Sequence, residues 1–264
     1  MAPTKACYLH IGLHKTGTTT VQAFLSHNAS LLETNSVLFP KVGRALLGHH
    51  NLAWELRGDP RFVRDRGDWQ ALKEEIERSD CERILLSSED FSLLDDHGLD
   101  GVANRLRSHD VTIVCTLRRQ DYLLNSIYTN FVRGEGVTIG FSELLEKNIG
   151  SKRFEFDGFL SRWASTFGQD RVIVRTYDRD YDAGFDSIAD FLELGILSAG
   201  GEKWRHPRGP ERDENPRPGA KTIRSLERST TSAKRTTSAH NGGTNSCDQL
   251  RNMLPPSDGT SASM

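Results

Sequence analysis

Four short apolar runs, separated by stretches with helical spacing, constrain the fold of this chain more than any other feature. They cover residues 6–11, 83–87, 111–117 and 172–176. The second and third are rich in Ile, Leu and Val without alternation, as expected of strands buried on both faces of a parallel sheet. Residues 18–26 follow the first run with amphipathic spacing. Residues 69–78, with Leu72 and Ile76 in helical phase, precede the second, and 122–132 follow the third. Segments 141–145, 156–167 and 185–194 also read as helices. Strands alternating with helices require crossover connections. The predicted fold class is therefore α/β, a P-loop-like three-layer fold with a central parallel sheet. Segment 40–68 is less periodic, and its Gly, Arg and His content predicts loops and short helices over a sheet edge.

Composition changes near Leu197. From 198 to 264 large apolar residues are sparse and Ser, Thr, Arg, Pro and Gly dominate. Such a segment cannot bury enough apolar area to offset its ordering entropy. It predicts two parts, an α/β domain over 1–197 and a low-complexity, mostly disordered tail over 198–264, with 223–226 as a short helix. A binding tail, or a segment without a structural role, are the two readings of that part.

The 264 residues carry a formal net charge of −2, which argues against a dominant nucleic-acid partner. No apolar stretch approaches the ~18 residues of a membrane span. The N-terminus has no apolar signal-peptide core, so a soluble, cytoplasmic protein is expected. Cys7, Cys81, Cys115 and Cys247 form no CxxC pair, and reduced thiols are expected. His49 and His50 are adjacent rather than at ligand spacing, so no metal is expected.

The segment 10–22 is the most informative chemically. It follows the first strand, contains Gly12, Lys15, Gly17, Thr18, Thr19 and Thr20, and opens a helix. Amides at a helix N-terminus, with the helix dipole, form a site for phosphate or sulfate. Gly17 permits close backbone approach, Thr18 and Thr19 offer hydroxyls, and Lys15 offers a positive charge. The separation of Gly12 and Gly17 fits a Walker A loop, but that motif places Lys and Ser/Thr next. Here Thr18 and Thr19 follow, and the lysine precedes Gly17. No Mg²⁺-binding carboxylate is evident at the strand ends, which weakens a kinase or ATPase reading.

His14, Lys15, Thr16, Gly17, Thr18 and Thr19 resemble the 5′-phosphosulfate loop of sulfotransferases, particularly the bacterial branch with an HKTGTT-type loop. That resemblance implies that Lys15 contacts the nucleotide sulfate donor PAPS near its bridging oxygen. It implies that Thr16, Gly17, Thr18 and Thr19 hold the 5′-phosphate. The run 111–128 is similar to a second family segment, with Arg118 at a strand end and Ser126 eight residues later. The resemblance assigns this pair to the donor's 3′-phosphate, and an Arg fork suits a dianion. It covers residues 6–194. Beyond Leu197 the family's late Gly- and Lys-containing loop has no match.

The implied reaction is in-line sulfuryl transfer to a hydroxyl or amine of a small-molecule or carbohydrate acceptor, releasing PAP. The alternatives are a P-loop kinase or nucleotide phosphotransferase, and an inactive PAPS/PAP-binding protein. Two residues are candidate bases. Glu89 lies just past the second strand, and strand ends in an open α/β sheet face the ligand crevice. His50 lies in the loop-rich stretch 48–54 and has a near-neutral reference pKa. Glu89 is favoured on position.

Overall fold

All four predicted strands form, and all run parallel. The computed structural model describes residues 4–134, 140–148, 154–178, 186–197 and 204. Strands β1 (Ala6–His10), β3 (Arg83–Ser87), β4 (Asp110–Leu117) and β5 (Val172–Thr176) join β2 (Val37–Leu38) in a five-stranded sheet of order β2-β3-β1-β4-β5. The two-residue β2 is too short to carry a periodic signal, and the sequence did not reveal it. The apolar runs seat β1 in the middle, with β3 on one side and β4 on the other.

Burial accounts for the missing alternation. On one face, Leu85 and Val114 pack with Val21, Phe24 and Leu25 of α1 (Thr18–His27) and Leu32 of α2 (Ala29–Thr34). The same cluster takes in Ile188 and Phe191 of α9 (Ser187–Leu192). On the other face, Cys7, Leu9, Ile84, Leu86, Ile113 and Cys115 are fully buried, which requires a second covering layer. Apolar stripes on α4 (Trp69–Arg78) and α5 (Asp96–Leu106) are buried in the same unit. This is a mixed α/β fold with a central parallel sheet, as predicted. The three described thiols are free and buried, and burial pushes Cys7 and Cys115 up to about 12.

Helix starts follow local chemistry. Asp68 accepts from the Ala71 amide to cap α4, and Asp95 caps α5 through the Gly98 amide, each worth about 1 kcal/mol. Helix α1 differs, since its N-cap is Gly17 and no side chain caps it. Helix α3 (His50–Arg57) is a short helix of the kind expected within 40–68, although His50 itself was placed in a loop, and α2 and α5 escaped the periodic reading.

The chain divides into two units. The first, 1–119 with 160–214, holds the sheet. The second spans 120–159 and 215–264, and its described helices are α6 (Gln120–Gly134) and α7 (Phe141–Asn148). Tyr128 and Phe141 join these helices in an edge-to-face contact at 5.3 Å. No change of composition marks this division inside 1–197. Helix α8 (Phe156–Phe167) precedes β5. No described helix is long and apolar enough to cross a membrane.

The predicted tail lies outside the described residues except for Trp204, which packs 5.8 Å from the Phe24 ring. Packing therefore extends beyond Leu197 to Trp204. Deleting 205–264 is expected to leave the urea midpoint close to that of the full chain. Deleting 198–264 also removes the Trp204 contact and should cost on the order of 2 kcal/mol, less than for a fully buried tryptophan. Equal midpoints for the two truncations would show that this contact contributes nothing.

Candidate functional site

Sheet register brings the predicted residues to one edge. His10, the last residue of β1, lies opposite Ser87 of β3 and Val114 of β4. The following loop keeps to β4 at first, with Ile11 N donating to Val114 O at 2.9 Å and Leu13 N to Thr116 O at 3.2 Å. It then turns through Lys15 (φ 69°) and Gly17 (φ 79°) into α1. A lysine in the left-handed region costs roughly 1–2 kcal/mol, so the turn needs bracing. Thr16 Oγ1 donates to Leu13 O at 2.5 Å, and Arg118 Nη1 donates to Lys15 O at 2.8 Å. Gly17 is required twice over, by its φ and because a Cβ there would stand 2.4 Å from Ser187 Oγ.

This geometry sorts the loop's residues by role. The Thr16 hydroxyl turns inward to hold the loop, leaving its amide as the candidate ligand. Thr18 is buried and Thr19 exposed. The Thr18 and Thr19 amides lie ahead of the first intrahelical bonds, which run from Thr20 N and Val21 N to Gly17 O at 3.1 and 3.3 Å, and no side chain caps the helix start. They sit at the positive end of the helix dipole beside Lys15. Arg118 follows the last residue of β4 and is buried, its guanidinium 5.1 Å from the Tyr177 ring centre. Ser126 belongs to α6, in the second unit, and is half-buried.

A second group converges on the same edge from β3. Ser88 N donates to His10 O at 3.0 Å, and Ser88 Oγ accepts from Asp90 N at 3.1 Å. That bond starts the 3-10 turn Glu89–Leu93 and projects both carboxylates. Glu89 Oε2 accepts from Gln22 Nε2 of α1 at 2.9 Å and lies 4.0 Å from His50 Nδ1. Asp90 Oδ2 accepts from Trp54 Nε1 at 2.8 Å and lies 3.3 Å from His50 Nδ1. Its other oxygen lies 3.6 Å from His14 Nε2 in the loop. Arg61 stacks 4.7 Å above Trp54 and clamps Asp59.

Two further histidines act as struts. Ser87 N donates to His49 Nδ1 at 3.1 Å, so the His49 proton is on Nε2, which donates to Pro40 O at 3.0 Å. His10 Nδ1 meets Ser87 Oγ at 2.9 Å. Burial pushes His10 down to about 4, with the Glu89 charge opposing it. Burial likewise pushes His49 down to about 3, with its bond to Pro40 opposing. Burial works against ionisation of Glu89, but His50 and His14 outweigh it and hold the carboxyl below its usual range. The same contest leaves Asp90 far below that range, through its bonds from His14 and His50.

Lys15, Thr16, Gly17, Thr18, Thr19, Arg118, Glu89 and His50 thus share one edge of the first unit. Asp90, Gln22 and Trp54 join them without having been assigned roles from sequence. The only signal for Asp90 was its place beside Glu89 at a strand end. Among the described residues no group of three His, Cys, Asp or Glu side chains could hold a metal ion. A cavity of about 600 Å³, bounded in part by Glu33, Ser36, Glu75 and Cys81, lies toward the start of β3 instead. Its Glu75 carboxylate is committed to the Lys41 and Val42 amides, and it gathers no comparable set of groups.

No family model matches the chain. An uncharacterized protein of Archaeoglobus fulgidus is 35% identical over 114 residues, which is 43% of this chain and only 30% of that protein. Among solved structures, the chain is similar to a sulfotransferase from Alicyclobacillus acidocaldarius, with a TM-score of 0.48 and 16% identity over 88% of this chain and 94% of that one. It is also similar to mouse sulfotransferase SULT7A1 complexed with PAP, with a TM-score of 0.41 and 12% identity over 89% and 68% of the two chains.

The buried histidines predict acid sensitivity. Unfolded, His10 and His49 take up protons near pH 6.5, whereas folded they stay neutral to about 4 and about 3. The unfolded state therefore binds more protons below pH 6.5, and stability falls as pH falls. The loss should be on the order of 2 kcal/mol per histidine by pH 5. Glu89 and Asp90 act in the same direction below about pH 4. Urea unfolding between pH 7 and 5 checks this, and a His49→Asn variant should show a shallower slope than wild type.

Proposed function

We propose that this chain is a PAPS-dependent sulfotransferase, transferring a sulfuryl group to a hydroxyl or amine of a small-molecule or carbohydrate acceptor and releasing PAP. One arrangement carries the reading. The uncapped start of α1, with Lys15 beside it, shares a sheet edge with Arg118 and with the Glu89–His50 pair. The loop resembles a 5′-phosphosulfate loop at the residues whose amides face the helix start. The donor supplies an activated sulfur whose bond to the 5′-phosphate oxygen breaks as the acceptor attacks.

The chain's own residues then have defined tasks. The amides of Thr16 to Thr19 hold the 5′-phosphate by directed hydrogen bonds. Lys15 offsets the charge that grows on the departing phosphate oxygen. Arg118, with Ser126, reads the 3′-phosphate. The acceptor's proton passes to the Glu89–His50 pair as its oxygen or nitrogen bonds to sulfur. Much of the acceleration comes from positioning and electrostatics, as in phosphoryl transfer.

Titration calorimetry with PAP, AMP and Mg-ATP tests the reading, because only PAP carries the 3′-phosphate. PAP should bind far more tightly than the other two, and equal competition by Mg-ATP would favour a phosphotransferase. Sulfation of no acceptor class, with PAP still bound, would favour a binding protein. Lys15→Ala should lower turnover on the order of 10²-fold or more, the scale of losing one preorganised charge stabiliser. Near-normal turnover in that variant would remove Lys15 from the mechanism.

Arg118→Ala separates two roles of one guanidinium. Loss of the bond to Lys15 O alone should weaken PAP and AMP equally. Reading of the 3′-phosphate predicts a loss of about tenfold or more for PAP beyond any loss for AMP, the scale of one charged hydrogen bond. An unchanged PAP constant would refute the assignment.

A further inference from the structure

We propose that Asp90 is a positioning residue that keeps the His50 proton on Nδ1, leaving Nε2 as the basic nitrogen of the Glu89–His50 pair, while tying His14 of the loop to the same carboxylate. Its catalytic consequence rests on the sulfuryl-transfer reading. The proton position itself is a property of the protein alone.

Asp90 is buried, and four nitrogen groups converge on it. Trp54 Nε1 and His50 Nδ1 meet Oδ2 at 2.8 and 3.3 Å, and His14 Nε2 and Arg61 Nη2 approach Oδ1 at 3.6 and 4.0 Å. These donors outweigh burial and keep the carboxyl ionised, so it only accepts. Glu89 Oε2 stands 4.0 Å from the same His50 nitrogen. A bare lone pair on Nδ1 would face two anions, whereas a proton there is attracted by both. That proton also finds an acceptor in Ser88 Oγ, 2.8 Å away.

The opposite edge of the ring lies against a glycine. His50 Nε2 faces Gly48, where a Cβ would stand 2.9 Å from it and 2.8 Å from the Gln22 amide nitrogen. The missing side chain preserves space beside the nitrogen that the proton placement makes basic. The charged and titratable groups around His50 are Glu89 and Asp90 from the turn after β3, His49 at the start of its own helix, and His14 and Arg61 through Asp90. Trp54, stacked on the ring at 5.9 Å, is neutral and holds its plane. Asp90 thereby joins the donor loop to the proton acceptor through a single side chain.

Nitrogen-15 NMR of the imidazoles in the wild-type protein at pH 7.5 is the direct test. His50 should show Nδ1 protonated and Nε2 unprotonated, and the opposite tautomer would overturn the proposal. In Asp90→Asn the ratio of the two tautomers should fall on the order of tenfold, the scale of one charge-assisted hydrogen bond. Turnover should fall with it while the acceptor KM stays near wild type. Trp54→Phe removes a donor to Asp90 without removing its charge and should leave the tautomer in place. An equal disturbance in both variants would make Asp90 a structural anchor and overturn the proposal. Absence of sulfation by the wild-type protein would sink the sulfuryl-transfer reading, while the tautomer result would stand or fall separately.

Discussion

The register of β1 between β3 and β4 is the constraint from which the site follows. Pairing His10 with Ser87 and Val114 makes β1 and β3 end together, while β4 runs three residues further to Leu117. The residues that come next in each strand, the Lys15 loop, the Glu89–Asp90 turn and Arg118, then emerge on one edge although they are far apart in the chain. A parallel sheet produces this coincidence because every strand runs the same way, so every C-terminal end carries a loop at the same side. A slip of one residue would turn each strand's side chains to the opposite face and lose the alignment.

Within that frame, the site depends on reciprocal bracing between loop and sheet. The left-handed Lys15 is held by an arginine from the next strand's end, which sits over Tyr177 beyond β5. Gly17 lets Ser187 approach where a larger residue would push α9 away. On the β3 side, His49 closes a two-bond link to Ser87 and so fixes the start of α3, which carries His50 and Trp54. The anion-binding half and the proton-accepting half meet through His14 with Asp90 and through Gln22 with Glu89.

Four histidines at this edge show how environment divides one chemistry into several roles. His10 and His49 are fully buried, where a charge is costly, and they serve as neutral hydrogen-bonding struts. His14 and His50 instead face the Asp90 carboxylate, at 3.6 and 3.3 Å. Sequence position distinguishes none of these cases. His49 and His50 are neighbours, and only the turn of the chain at α3 sends one ring to Pro40 and the other to Asp90.

Sequence alone determined the features that are local or periodic. The strand runs at 83–87 and 172–176, the helices at 69–78 and 156–167, and the loop at 14–19 are contiguous signals, and each was legible because its cause lies within a few residues. The short elements β2 and α2 were not legible, since two to six residues hold too little periodicity and their stability comes from packing. Arg118 could be read because it ends a strand. Asp90 could not, because its donors come from residues 14, 50, 54 and 61, and nothing in the spacing of those residues shows that they meet. What only the tertiary structure decided is therefore which charged groups face one another. That depends on the register of three strands and the burial it imposes, a property of the assembled sheet rather than of any one segment.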